Sequence, residues 1–346
     1  MREFVTSQAG ADRQAVSGKL LLVGIGDYEL DESIRQLTEE NAGQLQAIFA
    51  PLGATKHIPI GSGAKDEDDI SASAALRIQV EAVLAEVTDQ TDVILDVSSL
   101  PRITHLALLT SLLNKLVPDK LHEPGTDHPL HANGVNFQVL VAEDAKLDGE
   151  IRAEDPSRDL VLIPGFATAL QAESVQDWPL VLFPVLGENR VDQMRKIMDS
   201  AMIPVSAEVC PVLPHPSKDP RRADNLLVEY RGPLFDSRRT PTSNILYAHE
   251  SHPFEAYRQL LGAMRRYRDS LRILGGCRLV VTPLGSKLIT IGAGLACFEM
   301  RPPDLNEKFG VAVLLAEPKR YIVDIDTLKE SRPEITVLLL TGEPYA

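Results

Sequence analysis

The sequence predicts an α/β protein made of two Rossmann-like halves with mainly parallel sheets. Three observations carry that expectation. Short apolar runs without alternation, such as residues 92–97 and 278–282, suit strands buried on both faces. These runs alternate with segments of helical length and spacing, the order that builds a parallel sheet covered by helices. The chain has 346 residues, 44% of them hydrophobic, which is long for one compact core and enough for two.

Residues 1–17 read as a polar tail. Arg2 and Arg13 stand there without the apolar stretch of a signal peptide. The first half, 18–150, opens on a strand at 19–24. A helix at 31–50 carries Ile34, Leu37, Leu45, Ile48 and Phe49 at close to helical spacing. Residues 57–60 are a short strand, 71–87 a second amphipathic helix and 92–97 a strong strand. The helix at 101–117 is apolar nearly all round and so belongs in the core. A loop bearing Pro118, Pro124, Gly125 and Pro129 leads to a strand at 135–142.

Residues 151–176 read as a polar connector with one short strand, 160–163. The second half, 177–346, begins with a strand at 179–185 and a helix at 189–201. A proline-rich basic connection spans 211–222, and strands are expected at 226–230 and 244–247. A long helix at 253–274 sets Arg265, Arg266, Arg268 and Arg272 on exposed turns. A strand at 278–282, a helix at 288–300 and a strand at 309–316 follow. In the tail, 321–324 and 336–340 can each pair at a sheet edge. Residues 93–102 and 279–287 are alike: strand, small polar turn, one basic residue, apolar helix. Duplication of a Rossmann-like unit would leave such a trace.

The formal net charge of −14 argues against a protein that coats duplex nucleic acid or an anionic membrane. No apolar run approaches the ~20 residues of a membrane span. Cys210, Cys277 and Cys297 are odd in number and widely spaced, which suits reduced thiols in a cytoplasmic protein. Cys277 and Cys297 lie in apolar surroundings and read as inert core thiols. His122, His128 and His131 crowd one loop without a residue to fix them. No convincing coordination spacing exists, so neither a metal nor a cofactor is expected.

The strongest candidate site is the turn from Asp96 to Arg102, at the carboxyl end of a predicted parallel strand, where open α/β sheets bind ligands. Ser98 and Ser99 sit at a helix start, beside free N–H groups and a dipole that favours an anion. The pattern suits a cap as well as a ligand. Arg102 offers a two-pronged contact to phosphate. The second turn, Gly285-Ser286-Lys287, combines close backbone approach, a cap and a charge. Its glycine spacing is not that of a Walker A loop. Gly292 and Gly294 in the next helix would let it lie close against a neighbour. Gly24-Ile25-Gly26-Asp27-Tyr28 suggests a dinucleotide fingerprint but lacks the third glycine. Arg238 and Arg239, in a polar loop, are further candidates for gripping phosphate or a partner. His249 and His252 are the candidate acid–base pair of any catalysis.

Asp96, Ser98 and Arg102 resemble a pattern of CRISPR-associated Rossmann-fold (CARF) sensor domains. There an acidic residue or Asn, any residue, Ser or Thr, three residues, and Arg or Lys follow a buried strand. The resemblance covers about residues 18–145. It implies binding of cyclic oligonucleotides or similar nucleotide messengers at that strand end, often in a dimer. It falls on Ser98, Arg102 and Asp96, and Pro101 departs from it by stiffening the turn. Neither the Arg–His spacing of the ribonuclease module often attached to such sensors nor a helix-turn-helix module is evident. A sensor without its usual effector is therefore implied, or a member of a broader group of defence-associated Rossmann proteins. The expectation is a binding protein that holds a nucleotide-like anion between its halves through Ser98, Ser99, Arg102, Gly285, Ser286 and Lys287. Two other classes stand beside it. One is an enzyme acting on a nucleotide or phosphorylated substrate. The other is a scaffold that docks a protein partner or a second copy of the chain.

Overall fold

A computed structural model describes residues 17–25, 31–60, 72–117, 135–144, 147, 150–171, 176–302 and 307–342. The first half contributes β1 (Leu20–Ile25), α1 (Glu32–Phe49), β2 (Thr55–Ile60), α2 (Ala72–Leu84), β3 (Asp92–Asp96), α3 (Arg102–Leu116) and β4 (Asn136–Glu143). β5 (Arg152–Ala167) and the short α4 (Thr168–Gln171) follow. Next come β6 (Leu180–Val185), α5 (Val191–Ser200), β7 (Glu208–Val209), β8 (Val212–Pro214) and α6 (Arg222–Glu229). The chain continues with β9 (Leu246–Ala248), α7 (Pro253–Leu271), β10 (Cys277–Pro283) and α8 (Lys287–Glu299). It ends on β11 (Phe309–Ile322), α9 (Ile325–Glu330) and β12 (Glu334–Thr341).

The large sheet has the order β5-β11-β10-β6-β8-β9, with β7 also pairing β6. All its pairings are parallel except that of β5 with β11. Its central strands are apolar on both faces because both faces are covered. Val181, Phe183, Leu279 and Val281 point into one core, and Leu180, Leu182 and Val280 into the other. From β6 the chain steps outward to β8 and β9. The long α7 then returns it to β10, on the other side of β6. The strand order therefore reverses between β6 and β10, the kind of position where parallel sheets open a ligand crevice. Here the crevice is narrow at its base. A side chain on Gly187 would stand 2.9 Å from the Gly285 Cα.

Two smaller sheets complete the architecture. β1 pairs β2 in parallel, and β12-β4-β3 has β3 parallel and β12 antiparallel to β4. α3 is buried on nearly every side, as its composition predicts. It packs on α8, and one continuous apolar core runs from Val93 and Val139 of the small sheet to Val281 and Val313 of the large one. The two glycines of α8 serve this packing. Gly294 meets Leu106 of α3, and Gly292 meets Ala256 and the Pro253 carbonyl of α7. Among the described residues no helix is long and apolar enough to cross a membrane.

Several expectations need correction. Residues 226–230 are not a strand but the end of α6 and its cap. Arg222, Ala223, Leu226 and Tyr230 are buried while Val228 is 76% exposed, a helical rather than an alternating pattern. Residues 244–247 begin as a 3₁₀ turn, and the strand runs only over β9. The supposed connector 151–176 is largely β5, the antiparallel edge of the large sheet. β12 pairs with β4, so residues 177–346 do not form a unit by themselves. The strand at 92–97 is not central: among the described residues its ladder is with β4 alone, and Ile94 is 41% exposed. The tail, Gly26 to Tyr28 and the three histidines of the 118–133 loop lie outside the described residues.

The tight seating of α7 on α8 has a measurable consequence. Gly292→Ala places a methyl 2.8 Å from the Ala256 Cβ and against backbone. It is expected to lower unfolding free energy by about 1–3 kcal/mol in urea denaturation, the usual cost of overpacking. An unchanged midpoint would mean that the two helices do not touch there.

Candidate functional site

The turn after β3 is held by its own chain. The Ser98 N–H donates to Asp96 Oδ1 at 2.9 Å. The β3–β4 ladder ends at Asp96 and Leu140, which leaves the Ala142 N–H of β4 without a strand partner. Ser98 Oγ accepts that N–H at 2.8 Å and so prolongs the ladder by one bond. The expected cap is therefore absent. Pro101 stands at the N-cap position of α3 with no side-chain cap, and Ser99 is exposed.

The turn after β10 is built differently. Ser286 occupies the N-cap position of α8 with extended backbone angles, as expected, yet its hydroxyl makes no cap. Ser286 is 7% exposed, and its Oγ has no hydrogen-bond partner among the described residues. The N–H of Lys287, the first residue of α8, donates instead to Glu143 Oε1 at 2.6 Å. Glu143 is the last residue of β4, so the carboxylate arrives from the small sheet.

The two turns meet. Arg102 Nε donates to the Gly285 carbonyl at 2.7 Å, and Lys287 Nζ donates to the Ser98 carbonyl. Each cation thus holds the backbone of the opposite turn. Among the described residues no carboxylate pairs with Arg102, and its two terminal nitrogens make no hydrogen bond. His105, one turn into α3, is fully buried behind them. Burial, then the charges of Lys287 and Arg102, hold its imidazole well below the ordinary value; the Leu100 carbonyl opposes them weakly.

Carboxylates surround this junction. Buried Arg222 binds Glu188 through Nε at 2.6 Å and through a terminal nitrogen at 3.0 Å, and Glu250 at 2.7 Å. Burial would raise the Glu188 carboxyl, but Arg222, with a smaller contribution from Arg102, leaves it lowered. Glu229 is raised by its burial although it accepts the Asn189 N–H. A small cleft of about 40 Å³ opens beside the α8 N-terminus, between Ser286, Glu143, Arg222, Glu250, Lys218 and Glu334. Among the described residues no group of three His, Cys, Asp or Glu is placed to hold a metal.

The other candidates lie apart. Arg238 donates to the carbonyls of Ile203 and Pro204 at 2.9 and 2.6 Å. Those residues precede β7, and Arg238 itself precedes β9, so it braces the amino edge of the sheet, opposite the two turns. Arg239 is exposed with φ at +52°. His249 Nδ1 faces the Ser251 N–H and hydroxyl at 3.2 and 3.1 Å. His252 stands at the α7 N-cap position, edge-on to Phe254. Neither imidazole bonds a carboxylate, the partner that commonly orients an acid–base histidine, among the described residues. Cys210, Cys277 and Cys297 are buried, and burial raises all three thiols, as for inert core residues. Glu143, Glu188, Arg222 and Glu250 went unread in the sequence. Glu143 ends a strand, Arg222 opens a helix, and Glu188 and Glu250 lie in the turns after β6 and β9, but nothing local marks a lone charge there as buried.

No protein-family model matches the chain, and no curated protein matches it. Among solved structures, similarity is found to the crystal structure of a functionally unknown protein, PA1789 from Pseudomonas aeruginosa PAO1. It is 14% identical over 87% of this chain and 92% of that one, with a TM-score of 0.21. At that TM-score the likeness bears on neither fold nor function.

The buried imidazole predicts a pH dependence. The unfolded chain takes up a proton at His105 below about pH 6.5, and the fold resists doing so. The corresponding stability is present above that pH and is lost as pH falls. His105→Leu is expected to show a shallower decline in melting temperature between about pH 7 and 5 than the native chain. Parallel declines would show that His105 does not stay neutral in the fold.

Proposed function

We propose that the protein binds a phosphorylated, nucleotide-like ligand where the two turns converge, and that it acts as a sensor of that ligand. The observation that supports this most is the part-exposed Arg102 guanidinium. It is held at Nε by the Gly285 carbonyl, with two terminal nitrogens left to donate. That geometry presents the fork that phosphate accepts. The site adjoins the reversal of strand order between β6 and β10, the usual ligand position in open parallel sheets. The resemblance of Asp96, Ser98 and Arg102 to the CARF pattern supplies the ligand class, nucleotide messengers, and suggests a role in prokaryotic antiviral defence. Because Arg102 also holds the opposite turn, a ligand that draws on it acts on the contact between the two sheets. A sensor needs such coupling. Binding is favoured over turnover because, among the described residues, neither His249 nor His252 is held by a carboxylate.

Mass spectrometry of small molecules released from the purified protein is expected to find a phosphorylated compound. Calorimetry with that compound should show roughly 10- to 100-fold weaker binding by Arg102→Ala, the loss of one charge-assisted contact. The melting temperature should fall by only a few degrees, since one hydrogen bond to Gly285 is lost as well. Unchanged affinity would remove Arg102 from the site. Conversion of the compound during incubation would make the protein an enzyme.

A further inference from the structure

The N-terminus of α8 carries two features that the reading above does not use. The first is Glu143, whose carboxylate takes the Lys287 N–H at 2.6 Å. The N–H groups of a first helical turn have no partner within the helix and attract anions. In this protein a residue from the other sheet supplies the anion. The second is Ser286. A serine at this position normally folds back to cap its own helix. Here the hydroxyl is buried and, among the described residues, unpartnered, and Ser286 lines the same cleft as Glu143. A buried donor without an acceptor is unfavourable, so an acceptor brought by a ligand would be stabilised there.

We propose that the α8 N-terminus is a phosphate subsite, and that Glu143 is an internal stand-in which a ligand's phosphate displaces. This rests on the reading of the protein as an anion binder and deepens it. The cleft of about 40 Å³ is roughly three times the room one water needs, enough for a phosphate group to enter. A carboxylate brings one charge and holds the Lys287 N–H. A phosphate monoester brings about 1.5–2 charges and three acceptor oxygens, enough to take the Lys287 N–H and the Ser286 hydroxyl together. Its gain over Glu143 lies in the greater charge and in an acceptor for the Ser286 hydroxyl. Displacement also frees the end of β4 from α8, so filling the subsite loosens a tie between the sheets.

The test is calorimetry with adenosine monophosphate, inorganic phosphate and, as a phosphate-free control, adenosine. The proteins are the native chain, Glu143→Gln, Glu143→Ala and Ser286→Ala. Glu143→Gln keeps the shape and an acceptor for Lys287 while removing the competing charge. Both Glu143 variants are expected to bind adenosine monophosphate about 10-fold tighter than the native chain, or better. Ser286→Ala should bind it about 5-fold more weakly, and adenosine should not respond to any of the changes. Matching gains with inorganic phosphate identify free phosphate as sufficient; gains with the monophosphate alone identify an esterified phosphate. If the native chain binds the monophosphate and neither Glu143 variant binds it tighter, Glu143 is a fixed tie and this inference fails alone. If no protein in the set binds either anion, the anion-binding reading fails with it.

Discussion

Two cations exchanged between two turns organise this molecule. Arg102 reaches the Gly285 carbonyl, and Lys287 reaches the Ser98 carbonyl. Both carbonyls lie in turns at the carboxyl ends of parallel strands, beyond the reach of the sheet ladders. The cations supply bonds that the ladders cannot, and the Gly285 carbonyl also receives the Thr290 hydroxyl at 3.5 Å. The exchange sets α3 and α8 side by side at their N-termini. From there the helices run against each other, with Gly294 giving room to Leu106, and the apolar core continues from one sheet into the other.

The arrangement has an electrostatic cost. A cation near a helix N-terminus is disfavoured by the helix dipole, and here two such termini and two cations are brought together. The carboxylates around the junction offset this. Glu143 meets the α8 N-terminus directly, and Glu188, held by Arg222, lies within reach of the Arg102 field. Arg222 in turn is buried between Glu188 and Glu250, and its loss would leave two carboxylates without their shared cation. Positive and negative groups are thus balanced locally, although the whole chain is acidic.

Much of the framework was legible in the sequence. Residues 279–282 are apolar without alternation because both faces of β10 are covered, and 102–116 is apolar all round because α3 is enclosed. The glycines of α8 announced close helix contacts. Other elements were misread for physical reasons. Leu226 to Tyr230 has strand-like composition, yet burial of Arg222, Leu226 and Tyr230 on one face makes it helix. Ser98 sits where a cap is expected, but the unpaired Ala142 N–H of another strand claims its hydroxyl.

The sequence by itself determined the α/β class, the parallel strands and the position of a basic residue at the start of each of two core helices. These follow from periodicity and turn chemistry, which act over a few residues. Tertiary structure alone decided what those basic residues touch. The acceptor of Arg102 lies 183 positions away and that of Lys287 lies 189 away, so no local pattern could assign them. It also decided that Glu143 closes the N-terminus of α8, that Ser286 is left with a free hydroxyl, and that Arg238 braces the far edge of the sheet. A charged side chain is placed in sequence by its own element, but its partner is set by how distant elements pack.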